Sequence, residues 1–218
     1  MKTLSKFVLT LLATFSLASL GLAADGSPLK PPPGAKVAVA VFEDLECPSC
    51  ANAYPKIWDA AKAHNVPVVL HDFPLSKHPW SFQAAVYARF FDTKSQKLGN
   101  DFRGFIYQNQ PQITANNLRQ YVQKFADDNK VPLPFAVDPQ GELKAKVQAD
   151  YDLGLKCNLS ETPTIFVLGS APASPSFTQV TDLDKLSETI EEMQKKAPAS
   201  TTNTHTPARK KKQLTSQK

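Results

Sequence analysis

The sequence predicts a mixed α/β fold in which an all-helical block interrupts a small sheet. Three observations carry this. Val37–Phe42 (VAVAVF) is a continuous apolar run, as expected of a central strand covered on both faces. Val66–Leu70 (VPVVL) is a second such run, reached through a helical stretch, so the two strands are parallel. From Trp80 the pattern stays helical for about seventy residues before strand character returns at Thr164–Leu168 (TIFVL). The chain has 218 residues, 42% of them hydrophobic, enough for one domain with a substantial core.

The elements follow in order. Residues 1–24 open with Lys2 and Lys6, continue apolar from Phe7 to Leu20 and end on small residues, the layout of a secretory signal peptide cleaved near residue 23 or 24. Residues 25–36 (DGSPLKPPPGAK) read as a Pro-rich linker with little to bury. After the first strand, a helix runs from Pro48 to about His64 and is expected to kink at Pro55. The helical insertion, about 79–157, begins with Trp80–Gln96 and a short amphipathic piece, Phe102–Gln108. Thr114 is the expected cap of a helix with Leu118, Tyr121, Val122 and Phe125 on one face, and Asp138-Pro139 signals another helix start. Beyond Thr164–Leu168, Ser176–Val180 reads as an antiparallel edge strand. Asp182 or Asp184 caps a last helix burying Leu186, Ile190 and Met193. Residues 197–218 read as a disordered basic tail.

Charge is unevenly spread. The whole chain is +5; the leader contributes two lysines and the tail five basic residues, with no acid in either, so residues 25–196 carry −2. The basic balance therefore belongs to the ends and gives no basis for nucleic-acid binding by the domain. No Ser-His-Asp order, phosphate loop or nucleotide fingerprint is present. Three cysteines are too few for a disulfide framework in an exported chain of this size. Two of them, Cys47 and Cys50, enclose Pro48 and Ser49 directly behind the first strand. A bridge between them closes almost no loop and adds little stability, which points to chemistry instead. Cys47 falls at a helix N-terminus, where unpaired N–H groups and the helix dipole favour a thiolate. Cys50, one turn on, is expected to be shielded while Cys47 is exposed.

The strand ending in Phe42-Glu43-Asp44-Leu45-Glu46, the Cys47-Pro48-Ser49-Cys50 pair, Pro55 eight residues after Cys47, Asp72-Phe73-Pro74-Leu75 with His78-Pro79, and Thr162-Pro163-Thr164 before an apolar strand together resemble the thioredoxin superfamily, most closely its exported DsbA-like branch with a helical insertion. The resemblance covers about residues 36–195 and implies a thioredoxin-like fold (β-α-β, helices, β-β-α). It also implies Cys47 as nucleophile, Cys50 as resolving thiol and a cis bond at Pro163. The backbone at Thr162 would then pair with extended substrates. Implied as well are a redox-active Cys47–Cys50 disulfide with no other cofactor and no metal, thiol-containing unfolded or secreted proteins as substrates, a membrane redox partner, a monomer, and a periplasmic or secreted location. Since Ser49 brings no charge, Cys47 should have a pKa between the thioredoxin value of about 7 and the DsbA value of about 3.5.

The resemblance has a gap. Relatives carry a buried carboxylate six residues before the first cysteine, thought to assist proton transfer, and Val41 stands there. Glu43 and Asp44, at the strand end, read as solvated. Glu46, next to Cys47, would raise the pKa of that thiol slightly. Cys157 reads as a small buried hydrophobe, the alternative being a regulatory thiol that pairs with Cys47. A Cys3His zinc set from Cys47, Cys50, Cys157 and a histidine lacks the usual spacing. His78 reads as a helix-entry or surface residue, while Trp80 and Tyr54 line a groove beside the cysteines or belong to the core. Three functions follow: disulfide formation in exported proteins, reduction or isomerisation fed by a membrane electron donor, and redox-inactive, chaperone-like peptide binding.

Overall fold

The computed structural model describes residues 23–170 and 176–197. The signal-peptide reading and the basic tail, but for residues 23, 24 and 197, lie outside them. A four-stranded sheet has the order β2-β1-β3-β4, built from β1 (Val37–Glu43), β2 (Val68–Asp72), β3 (Thr164–Gly169) and β4 (Ser176–Val180). β1 pairs parallel with β2 and antiparallel with β3, and β3 pairs antiparallel with β4. β1 and β3 are central and buried along their whole length, which explains why neither alternates in sequence. The second strand begins two residues later than its apolar run suggests, because Pro67 has no N–H to give the ladder, although its carbonyl accepts from Val39 N.

Two layers cover the sheet. On one face α1 (Pro48–Ala63) and α6 (Leu186–Lys196) pack Ala53, Ile57, Leu186, Ile190 and Met193 against Val37, Val39, Val41, Ile165 and Val167. On the other, Ala40, Phe42, Phe166 and Leu168 meet Phe73, Cys157 and Leu159. Strand alternation thus divides β1 between two cores. Four helices stand between β2 and β3: α2 (Ser81–Asp92), α3 (Gln96–Asn109), α4 (Leu118–Asp128) and α5 (Glu142–Lys156). They enclose a third core around Phe91, Phe102, Ile106, Val122 and Phe125, which also takes in Leu45, Cys47 and Cys50.

Several sequence expectations change. α3 is a full helix, not a short piece, because Ser95 accepts from Leu98 N and starts it a turn and a half before Phe102. Thr114 does not cap α4 with its hydroxyl. Its N–H donates to Asn117 Oδ1 and its carbonyl accepts from Asn117 and Leu118, which makes a turn leading into the helix. Asp138 does serve the start of α5, accepting from Leu143 N and Lys144 N. Asp182, not Asp184, accepts from the chain ahead of α6, at Asp184 N. The stretch after residue 24 has more to bury than its prolines suggest. Leu29 is buried among Phe42, Phe166 and Leu168, and Asp25 N donates to Cys157 O.

Candidate active site

The strand-to-helix junction brings the two predicted thiols together with the predicted turn. β1 ends at Glu43, a short turn follows, and Cys47 occupies the position before the first helical residue with extended backbone (φ −81, ψ 120). Pro48 then starts α1, where its missing N–H costs nothing. The helix continues through Pro55 to Ala63. On the neighbouring strand, the turn before β3 arrives with a cis Thr162–Pro163 bond, and Cys47 Sγ lies 3.3 Å from Thr162 O. Both cysteines and Cys157 are free thiols.

Cys47 is held at a pKa of about 5. The Cys50 thiol that donates to it lowers it most, partial burial works against this, and Thr162 with the N–H groups of Cys50 and Ser49 lowers it further. The value lies between those of the two reference proteins. Cys50 moves the opposite way, pushed far above the ordinary thiol range by burial, by donation to Cys47 and by the Cys47 charge. The expected contrast in exposure is not found, since Cys47 is 6% exposed and Cys50 3%. The bend at Thr162–Pro163 and the helical insertion close over both sulfurs, so what separates them is hydrogen bonding and charge. Pro48 and Ser49 between them are exposed, and a cleft of about 380 Å³ starts at Ser49 and continues past Pro163 to Ile165 and Val180.

The carboxylates around the pair are not solvated as their strand-end position suggests: Glu43 is 3% and Asp44 1% exposed. The reason lies far along the chain. α3 lays Arg103 and Tyr107 over the end of β1, with Arg103 Nε 2.9 Å from Glu43 Oε1 and the Tyr107 hydroxyl donating to Glu43 Oε2 at 2.9 Å. Even so, burial dominates and raises Glu43 from its ordinary 4.5 to about 7, with Arg103 opposing and Asp72 adding to the rise. Glu43, Tyr107, Cys50 and Pro163 line one small internal cavity. Behind Glu43, Arg103 also pairs with Asp92, and Arg89 pairs with Asp72 and Asp150, so a chain of charges links β1, β2, α2, α3 and α5. Glu46 turns away from Cys47 and accepts from Trp80 N at the start of α2.

Sequence reasoning missed one contributor, Gln110, and the partner of another, His78. Gln110, just after α3, donates from Nε2 to Leu45 O at 2.9 Å and Cys47 O at 3.1 Å, gripping the turn that carries Cys47. His78 stands at the entry to α2, as one of its two readings had it, but is not a surface residue: its Nδ1 lies 2.7 Å from Asp44 Oδ2. The signal available was a run of three acids in Glu43-Asp44-Leu45-Glu46 attached to a strand with no polar face. Trp80 is buried in the core around the cysteines, and the Tyr54 hydroxyl donates to Asn100 O. Cys157 is fully buried in the core on the opposite face of the sheet, in keeping with the packing role, and does not share a core with Cys47. No group of three or more His, Cys, Asp or Glu residues is arranged for a metal among the described residues.

Comparison with known proteins gives the same fold. The family model described as Thioredoxin matches residues 32–192. Wolbachia pipientis alpha-DsbA1 superposes with a TM-score of 0.62 at 16% identity, covering 79% of this chain and 96% of that one. The thiol-disulfide exchange protein alpha-DsbA2 of the same organism gives 0.57 at 15%, covering 75% and 84%. Proteus mirabilis ScsC gives 0.59 at 17%, covering 77% and 72%. No curated protein matches the chain. The matched span runs from ahead of β1 into α6 and takes in the cysteines and the cis turn alike, so the chain belongs to the thioredoxin family, and its fold, with helices inserted between its second and third strands, is like that of the DsbA structures.

Proposed function

We propose that this protein is an exported thiol:disulfide oxidoreductase that forms or exchanges disulfides in secreted or periplasmic proteins through Cys47 and Cys50. The observation that carries the reading is the unequal thiol pair beside a cis-proline turn: Cys47 is held near 5 with its Sγ 3.3 Å from the Thr162 carbonyl, while Cys50 is pushed up. In the oxidised protein a substrate thiolate attacks Cys47 Sγ and Cys50 departs with the electron pair, leaving a mixed disulfide. A second substrate thiolate then attacks the substrate sulfur and expels Cys47, a good leaving group because its thiolate is stabilised. Extended substrate chain lies along the Thr162–Pro163 backbone and the cleft towards Val180. Glu43, with Tyr107 on one oxygen and a cavity shared with Cys50, is the group that takes and returns the Cys50 proton, filling the role left open by Val41. Export is supported by the leader layout of residues 1–24.

Equilibration with glutathione tests this directly. The Cys47/Cys50 couple is expected between the potentials of thioredoxin and DsbA, roughly −270 to −120 mV. Reduced-ribonuclease oxidation should be lost in Cys47→Ser. A potential below that of thioredoxin points to the reductase reading, and unchanged client binding with no redox activity in the wild type points to the peptide-binder reading.

A further inference from the structure

The turn between β1 and α1 brings a backbone donor onto the second thiol: the Asp44 N–H points at Cys50 Sγ, 3.5 Å away. The Asp44 side chain is committed on every side. Oδ1 accepts from Glu46 N at 2.7 Å and Ser81 Oγ at 2.5 Å; Oδ2 accepts from Leu75 N at 2.7 Å and faces His78 Nδ1 at 2.7 Å. The bond to Glu46 N is all a turn of this kind needs. The other three come from the loop leaving β2 and the first residue of α2, and they fill the remaining capacity of a carboxylate that is 1% exposed. Peptide 43–44 therefore cannot swing away from Cys50 without leaving buried donors unpaired.

We propose that Asp44 is a positioning residue for the thiol pair: its clamped carboxylate aims its own N–H at Cys50 Sγ, where that N–H carries the negative charge Cys50 acquires during exchange. The inference rests on the oxidoreductase reading and adds a role to it. When a mixed disulfide resolves, Cys50 gives its proton to Glu43 and attacks Cys47 Sγ. The Cys47–Cys50 bond forms, the bond from Cys47 to the substrate sulfur breaks, and the electron pair leaves with the substrate as a thiolate. In the opposite direction a substrate thiolate bonds to Cys47 Sγ and Cys50 departs with the pair. Both directions place charge on a buried sulfur, where an N–H already in line is worth more than in water.

The test follows the reduced full chain, in a Cys157→Ala background, reacting with dithiobis-nitrobenzoate. Release of the first thionitrobenzoate reports attack by Cys47, and release of the second reports resolution by Cys50. Asp44→Asn should leave the first phase within about twofold and slow the second about tenfold, as loss of a hydrogen bond to a charged group does. The pH midpoint of the second phase should move up while that of the first stays. Ser81→Ala and His78→Gln, milder cuts to the same clamp, should slow the second phase by about threefold. If Asn at position 44 does not fold, those two decide by the same criterion. An unchanged second phase, or equal slowing of both phases, overturns the proposal. A wild-type protein showing a single phase, or Cys47→Ser keeping the fast one, overturns the oxidoreductase reading instead.

Discussion

Glu43 contributes in two ways that pH separates. Its carboxyl is raised from 4.5 to about 7 chiefly by burial, so the folded state favours the protonated form more than the unfolded chain does. That contribution to stability is complete below the unfolded value and is lost as pH rises through about 7. Denaturation of the reduced protein between pH 5 and pH 8 should show this loss, and Glu43→Gln should flatten it. The same substitution removes the proton acceptor proposed for Cys50 and should slow thiol resolution on the order of a hundredfold near neutrality, with the inflection near pH 7 gone. For Cys47 the sign is reversed. Its depressed value stabilises the reduced form above the free-thiol range and is lost as pH falls through about 5. Thiolate absorbance titrated against pH in the reduced protein should show that midpoint, and it should be absent in Cys47→Ser.

At the scale of elements, the insertion and the sheet are joined by charge as well as by packing. Arg103 on α3 is fully buried and reaches Glu43 on β1 and Asp92 on α2. Arg103→Leu strands those carboxylates in the interior, and urea denaturation should show a loss of about 3–5 kcal/mol. α5 makes a different kind of contact. Gly154 rides on the Phe73 ring, and a methyl group added there overlaps it. Alanine improves the helix by about 1 kcal/mol. Overpacking costs about 1–3 kcal/mol, so Gly154→Ala should lower the melting temperature. Much of this level was legible in advance. The order of elements, the parallel and antiparallel pairings and the apolar faces of α1 and α6 follow from run length and periodicity, which are local properties. The buried state of Glu43 and Asp44 was not legible. β1 is covered on both faces, so alternation assigns its end residues to neither core nor solvent, and their partners lie on helices and loops up to 64 residues further along the chain. Gln110, and the contact of His78 with Asp44, escaped notice for the same reason.

For the whole molecule, the division into three cores decides which changes stay local. Leu29 belongs to the core with Cys157, on the face away from α1 and α6, and ties the approach to β1 onto the sheet. Leu29→Ala should cost about 2–5 kcal/mol in chemical denaturation, while the Cys47 titration midpoint stays where it is. The thiol pair belongs with the insertion instead, in one core with Phe102, Val122 and Phe125. Gln110 makes this dependence specific. Two hydrogen bonds from one side-chain amide, on the carbonyls either side of Glu46, fix the Cys47 peptide from the segment inserted between β2 and β3. The Cys-Pro-Ser-Cys tetrapeptide is therefore not a portable cassette: grafted onto a scaffold without that amide, it would bring its sulfurs but leave behind the poise between them.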